Sequence, residues 1–105
     1  MPEIPDLERD SEVLSEKDAK LEKPKLFKVL LHNDDFTTMD FVVFVLQHVF
    51  LKNLAEAFTI MMKVHEEGLG IAGTYTYEVA TMKADKAMNL ARAREFPLLC
   101  AVEEE

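Results

Sequence analysis

The sequence predicts a small α/β domain (α+β type) of order β-α-α-β-α-β, with an antiparallel three-stranded sheet packed on three helices. Three observations lead to this prediction. Short apolar runs typical of strands occur at 26–31, 71–75 and 98–102, and longer amphipathic runs separate them. Asn, Thr, Gly and Pro stand at the borders of these runs, where they cap helices or form turns. A chain of 105 residues is sufficient for one such compact domain.

The first strand and first helix follow from local signals near Pro24 and Thr38. Residues 26–31 are apolar apart from one lysine and begin just after Pro24, as a first strand would. Thr38 is a suitable N-cap for a helix from Met39 to about Lys52. The β-branched residues in the apolar run after Met39 would equally suit a buried strand.

The second helix has signals at both ends. Asn53, with Glu56 three residues later, resembles a capping box and predicts a helix from Leu54 to about Glu67. Gly68 is expected to end this helix, because glycine adopts the left-handed conformation that closes a helix C-terminus.

The last third of the chain predicts a loop, a strand, a helix and a strand. Residues 68–77 contain all three glycines and both tyrosines, which suits a loop leading into a second strand at 71–75. Thr76 can cap a third helix that continues to about Glu95, and 98–102 reads as the last strand. The expected apolar face of that helix consists of Val79, Met82 or Lys83, Ala87, Leu90 and Ala91.

Composition divides the chain into an extension and a domain. Residues 1–24 lack aromatics and carry scattered charges, so we expect a flexible N-terminal extension followed by one domain at 25–105. The N-terminus has no basic and apolar signal-peptide regions, and no apolar run approaches the ~20 residues needed to span a bilayer. These features predict a cytoplasmic protein without membrane association.

Charge and cysteine usage exclude further classes. The chain carries 20 acidic and 12 basic residues, a net charge of −8, which disfavours nucleic acid as a partner because phosphate binding relies on clustered Lys and Arg. Cys100 is the only cysteine, so the chain cannot form an intramolecular disulfide. We expect a monomer without cofactor.

The segment from Asn33 to Met39 lies between the first strand and the first helix and contains Asp34 and Asp35. Short Asn and Asp side chains at such a place favour turns and helix caps through bonds to nearby backbone. The same groups could form an acceptor-rich anionic rim beside an apolar wall, which would hold a cationic amine attached to a hydrophobic group. The residues of this segment alone do not decide between the two interpretations.

His65 and the methionines bear on that choice. If the first two helices pack as an antiparallel hairpin, Met39 at the start of one lies near His65 at the end of the other. His65 could equally donate to a carbonyl at its own helix terminus. Filling the core is the expected role of Met82 and Met88.

Catalysis is disfavoured. Asp34, Asp35 and His65 are conceivable ligands of a metal ion, but the sequence has none of the ligand spacings typical of metal sites. The domain body contains no serine, and Cys100 lies in an apolar strand where it behaves as a small hydrophobe. The glycine-rich stretch lacks the Lys-Ser/Thr pair of a phosphate loop. The sequence therefore predicts a protein that is not an enzyme.

Four colinear segments resemble the ClpS adaptor family over about residues 24–105. They are LFKVLLHNDDFTTMDFV at 26–42, Val64-His65, GTYTYEVA at 73–80 and PLLC at 97–100. The resemblance implies an adaptor that binds proteins with a free α-amino group and a bulky first residue (Leu, Phe, Tyr or Trp). It further implies delivery of these N-end-rule substrates to a Clp AAA+ unfoldase for degradation by ClpP.

The resemblance also assigns roles to individual residues. Asn33, Asp35 and His65 would hold the α-amino group, and Asp34 would orient the start of the peptide backbone. Met39 matches a methionine that in this family acts as a gate, and it would exclude peptides whose first residue is Val or Ile. The hydrophobic pocket would be formed by Leu31, Thr37, Met39, Val42, Met61, Val64 and Leu98.

Docking on the N-terminal domain of the unfoldase would involve Glu78 and Lys83, and the unfoldase would engage the N-terminal extension during handover. One rival interpretation is an assembly module, because the fold and size are also similar to the C-terminal domain of the ribosomal stalk protein. A metal-dependent hydrolase is the second rival.

Overall fold

The computed structural model describes residues 23–105; residues 1–22, and with them nearly all of the expected flexible extension, lie outside the described residues. The predicted order β-α-α-β-α-β is confirmed. No helix in the described part of the chain has the length and apolar character needed to cross a membrane. The elements are β1 (Phe27–His32), α1 (Met39–His48), α2 (Leu54–Glu67), β2 (Leu69–Tyr75), α3 (Tyr77–Ala93) and β3 (Leu99–Glu104).

The sheet has the strand order β2-β1-β3, and both neighbours pair antiparallel with β1. Leu31 in the central strand lies opposite Gly70 on one side and Cys100 on the other. The pairing of β1 with β2 shifts register between Val29 and Leu30. Val29 and Leu31 are fully buried and point to the helix-covered face, so the central strand supplies the middle of the core.

α2 begins and ends where the sequence predicts. The Asn53 side chain accepts a hydrogen bond from the Glu56 N–H at 2.8 Å, and the Glu56 carboxylate accepts one from the Asn53 N–H at 3.1 Å. Gly68 closes the helix with φ +85°, and its N–H donates to the Val64 carbonyl at 2.9 Å. Both helix ends are therefore set by side chains or backbone within a few residues.

α1 is shorter than predicted, ending at His48 rather than near Lys52. The Phe50 N–H donates to the Val45 carbonyl at 3.3 Å, a bond one residue wider than in an α-helix. Leu51 then adopts φ +55°, which turns the chain toward the start of α2. Residues 49–52 contain neither glycine nor proline, so no helix-breaking residue marks this helix end in the sequence.

The buried face of α3 matches the expected one at Ala87 and Ala91 and differs from it at Met82. Met82 is 61% exposed, so its predicted role in the core is wrong, whereas Met88 packs against the core as predicted. The Thr76 side chain makes no capping hydrogen bond. Small side chains allow α3 to lie close to the sheet. The fully buried residues of the helix are Ala80, Ala84, Ala87 and Ala91.

Candidate functional site

A cavity of about 260 Å³ opens between the loop that follows β1 and the C-terminal half of α2. It contains nine of the eleven residues for which the sequence predicts a role in peptide binding. Its lining consists of Asn33, Asp34, Asp35, Thr37, Met39, Val42, Met61, Val64 and His65.

Two structural features bring the loop and the helix together. The Asn33 N–H donates to the carbonyl of Gly68 at 3.0 Å, which joins the end of β1 to the end of α2. α1 and α2 form an antiparallel hairpin, so Met39 and His65 lie at the same end of the pair and line the same cavity. The expected proximity of these two residues is confirmed.

Asp34 is the most fully bonded acid of the loop. Its Oδ1 accepts hydrogen bonds from the backbone N–H groups of Phe36 at 2.8 Å and Thr37 at 2.6 Å. Its Oδ2 accepts one from the Thr37 hydroxyl at 2.7 Å. Partial burial by itself raises the pKa of Asp34, but these bonds from Thr37 and Phe36 outweigh it and leave the pKa below its ordinary value. The carboxylate is therefore held ionised by its own loop.

The other polar lining residues have free acceptors. Asn33, Asp35 and His65 are exposed, and within residues 23–105 their side chains make no hydrogen bond. An amide oxygen, a carboxylate and an imidazole nitrogen thus stand around one opening, available to an external donor.

The floor of the cavity is apolar and tightly packed. Val42, Met61 and Val64 are each less than 10% exposed, whereas Met39 is 42% exposed at the opening. Val64 lies against β2 so closely that a Cβ added to Gly70 would come within 2.6 Å of Val64 Cγ2. Because these residues belong to the core, the cavity is preformed rather than created by a ligand.

Leu31 and Leu98, which the family resemblance also assigns to the pocket, do not line the cavity. Leu31 is fully buried in the central strand and Leu98 is 5% exposed just before β3, and both belong to the hydrophobic core. In the structure they lie among the residues that support the cavity rather than at its surface. Which strand residues reach the cavity depends on the packing of the sheet, which the linear sequence does not show.

The two predicted docking residues have different surroundings on α3. Glu78 lines a shallow groove of about 750 Å³ on the outer face of the helix, together with the exposed side chains of Tyr77 and Met82. Lys83 lies outside this groove; its Nζ donates to the carbonyl of Val49 at 2.7 Å and lies 5.3 Å from the centre of the Tyr75 ring. Met82 was expected in the core, and Tyr77 was expected where β2 leads into α3, so neither was predicted to line a surface groove.

The groups weighed for catalysis have ordinary structural surroundings. Within residues 23–105, no three His, Cys, Asp or Glu side chains are arranged to hold a metal ion. Burial raises the pKa of Cys100 to about 12, so the thiol stays protonated at neutral pH.

The family model described as "ATP-dependent Clp protease adaptor protein ClpS" matches residues 22–101. The chain belongs to the ClpS family. The ATP-dependent Clp protease adapter protein ClpS of Desulfatibacillum aliphaticivorans is 53% identical over 102 residues, which cover 96% of this chain and 98% of the relative. The ClpS of Oleidesulfovibrio alaskensis is 50% identical over 95 residues, covering 90% of this chain and 89% of the relative.

A solved ClpS structure has the same fold. ClpS2 of Agrobacterium tumefaciens, bound to L-phenylalaninamide, superposes with a TM-score of 0.76 at 36% identity, covering 79% of this chain and all of that one. Like other ClpS proteins, this chain is an adaptor of the Clp protease and not an enzyme. Its partner is accordingly a Clp protease.

Proposed function

We infer that this ClpS protein binds proteins whose first residue is Leu, Phe, Tyr or Trp with a free α-amino group, as substrates of the N-end rule. The observation that carries this inference is one cavity with an apolar floor and three exposed acceptor side chains at its opening, none of them hydrogen-bonded within residues 23–105. Asn33, Asp35 and His65 would hold the α-ammonium group, and Val42, Met61 and Val64 would contact the first side chain.

The chemistry of an N-terminus matches this arrangement. An α-ammonium has three donors, and an amide oxygen, a carboxylate and a neutral imidazole nitrogen can accept them. Each hydrogen bond to a charged group contributes about 1.5–3 kcal/mol, and burying a Leu or Phe side chain contributes about the same. Neither contribution alone gives useful affinity, but together they reach about −8 kcal/mol, a micromolar dissociation constant, when the site is preformed.

The ligand of the Agrobacterium relative supports the same inference. L-Phenylalaninamide, the molecule bound to that ClpS2, carries a free α-amino group, a benzyl side chain and an amide in place of a peptide bond. These are the groups for which the rim and floor of the cavity are suited.

The test is a titration of purified protein with peptides that differ only at the first residue. Leu- and Phe-initiated peptides should bind, whereas the N-acetylated Leu peptide and a Val-initiated peptide should bind far more weakly. Acetylation removes the charge and leaves the acceptors of Asn33, Asp35 and His65 unpaired. Equal binding of all four peptides would rule out an N-terminus reader.

Two variants locate the binding site on the protein. Asp35→Ala and His65→Ala should each abolish measurable peptide binding and leave the thermal unfolding transition in place, because both side chains are exposed. Glu66→Ala is a matched control, since Glu66 is an exposed neighbour on α2 that does not line the cavity. Loss of folding in the two site variants would instead support a structural role.

The groove on α3 is the proposed docking surface for the N-terminal domain of a Clp AAA+ unfoldase, which a monomeric adaptor would approach with its peptide cavity free. Glu78, Tyr77 and Met82 supply one charge and two exposed apolar side chains there. Glu78→Gln should weaken binding to the intact unfoldase without changing peptide affinity, whereas Glu66→Gln should leave both unchanged. Unfoldase binding that is insensitive to Glu78→Gln would place docking elsewhere.

A further inference from the structure

Asp34 differs from the other polar residues of the cavity in what its carboxylate contacts. Three hydrogen bonds of 2.6–2.8 Å, from two backbone N–H groups and one hydroxyl, end on its two oxygens. All three donors belong to Phe36 and Thr37 of the same loop. The side chain therefore closes the loop on itself.

These bonds leave the carboxylate little to offer a peptide. An ionised carboxyl group has about four acceptor positions, and hydrogen bonds to a charged group are the stronger kind. Turning Asp34 toward a bound N-terminus would break bonds to Phe36 and Thr37 that are already short. Asn33 and Asp35 on either side are exposed and carry no such bonds within residues 23–105.

The loop that Asp34 closes leads directly into the wall of the cavity. Thr37 lines the cavity, Thr38 caps α1 by accepting from the Phe41 N–H at 3.1 Å, and Met39 is the first residue of that helix. At its other end, the loop is tied to Gly68 by the Asn33 N–H. The conformation of residues 34–37 thus determines where the acceptor side chains and Met39 stand relative to the apolar floor of the cavity.

We propose that Asp34 is a positioning residue that fixes the loop around the first residue of the peptide and does not itself bind the peptide. The proposal rests on the proposed N-terminus reader and replaces the peptide-orienting role that the family resemblance implies for Asp34. Two adjacent carboxylates then have different roles, since Asp35 binds the ligand and Asp34 holds the loop.

Replacement of Asp34 by Asn and by Ala separates positioning from ligand contact. In Asp34→Asn, the remaining Oδ1 can still accept from the Phe36 and Thr37 N–H groups, and the new amide can donate to the Thr37 hydroxyl oxygen. The loop is retained and the charge is lost. In Asp34→Ala all three bonds disappear, so the loop loses its closure.

The experiment titrates wild-type and variant proteins with Leu- and Val-initiated peptides. Asp34→Ala should weaken Leu-peptide binding about tenfold or more and reduce the discrimination against Val, while Asp34→Asn should stay within about threefold of wild type on both measures. General destabilisation would not change the Leu-to-Val ratio, so this ratio reports on Met39 and the loop.

The outcomes are distinct. If Asp34→Asn is as weak as Asp34→Ala, the charge contacts the ligand and the proposal is wrong; unchanged binding by Asp34→Ala also overturns it. Failure of wild type to bind the Leu peptide would refute the proposed function instead.

Amide hydrogen exchange of Phe36 and Thr37 in the ligand-free protein is an independent test. It should accelerate in Asp34→Ala and not in Asp34→Asn, and equal exchange in both variants would contradict the proposal.

Discussion

The backbone N–H of Asn33 donates to the carbonyl oxygen of Gly68 across 3.0 Å, and this bond joins the loop after β1 to the C-terminus of α2. The loop carries the acidic rim and the helix carries His65. Two segments more than 30 residues apart in the chain are thereby held as one site. The conformation of Gly68 is consequently important for both stability and binding.

Gly68→Ala should lower the free energy of unfolding by about 1–2 kcal/mol, because the residue has φ +85° and an L side chain is strained there. An added Cβ would meet no atom within 4 Å, so the cost is conformational and not steric. Urea denaturation measures it. Gly68→Asn is the matched variant and should cost less, since asparagine tolerates the left-handed region better. Equal losses in the two variants would point to another cause.

Gly70→Ala should destabilise the protein by about 1–3 kcal/mol through overpacking, because the new Cβ would come within 2.6 Å of Val64 Cγ2. Peptide affinity should fall as well, since Val64 forms part of the cavity floor. Combining Gly70→Ala with Val64→Ala removes the clash, so the double variant should be more stable than the sum of the single effects predicts. Strict additivity would mean that the two side chains do not meet.

Met39→Ala should raise the affinity for a Val-initiated peptide relative to a Leu-initiated one. Met39 is the partly exposed wall residue at the cavity opening, and its truncation makes room for a side chain branched at Cβ. Paired titrations of both peptides give the ratio. Met88→Ala serves as control, because Met88 packs against the core and does not line the cavity. A ratio that shifts equally in both variants would exclude a gate at Met39.

Lys83→Met should lower the free energy of unfolding by about 1–2 kcal/mol, because it removes the charge-assisted bond to the Val49 carbonyl and leaves that acceptor without the ammonium. Loss of the ammonium over the Tyr75 ring acts in the same direction. Lys86→Met, an exposed position on the same helix, should stay within about 0.5 kcal/mol of wild type. If the two variants were equally stable, Lys83 would be free for docking.

Acid should destabilise wild-type protein more steeply than Asp34→Asn. Partial burial raises the pKa of Asp34, but hydrogen bonds from Thr37 and Phe36 outweigh it and hold the pKa in the folded protein below the ordinary 3.8. As the pH falls, Asp34 is therefore protonated in the unfolded chain before it is protonated in the folded one. The stabilising contribution is therefore complete above that ordinary value and disappears as pH falls through the folded-state pKa. Urea unfolding from about pH 6 to about pH 2 gives the two slopes. Parallel curves would show that Asp34 contributes nothing.

The elements that were predicted well are those with local signals. α2 has the predicted first and last residues because Asn53, Glu56 and Gly68 act within one turn of the helix ends. α1 ends earlier than predicted, because its C-terminus depends on the turn through Leu51 that starts the hairpin. Asn53 marks the start of α2, but no glycine or proline marks the turn through Leu51 that precedes it.

Periodicity predicted the buried face of α3 only in part, because Ala87 and Ala91 are buried as expected whereas Met82 is exposed. Alanines contribute weakly to an apolar pattern, so a face that included the larger apolar residue Met82 was predicted to be buried. Close approach of the helix to the sheet selects the small side chains, so the alanine face is buried and Met82 is exposed. Leu31 and Leu98, which the family resemblance assigns to the pocket, lie in the core instead, because packing in the folded chain decides which apolar residues reach the cavity surface.

Residue type and short spacing were enough to establish the order of the elements, the caps of α2, the absence of an intramolecular disulfide and the membership of the ClpS family. The difference between the two neighbouring acids required the folded chain. There the Asp34 carboxylate accepts from Phe36 and Thr37, while the Asp35 side chain makes no hydrogen bond to any of residues 23–105. Adjacent acids are chemically identical in a sequence, and their roles diverge only when a folded loop supplies donors to one of them.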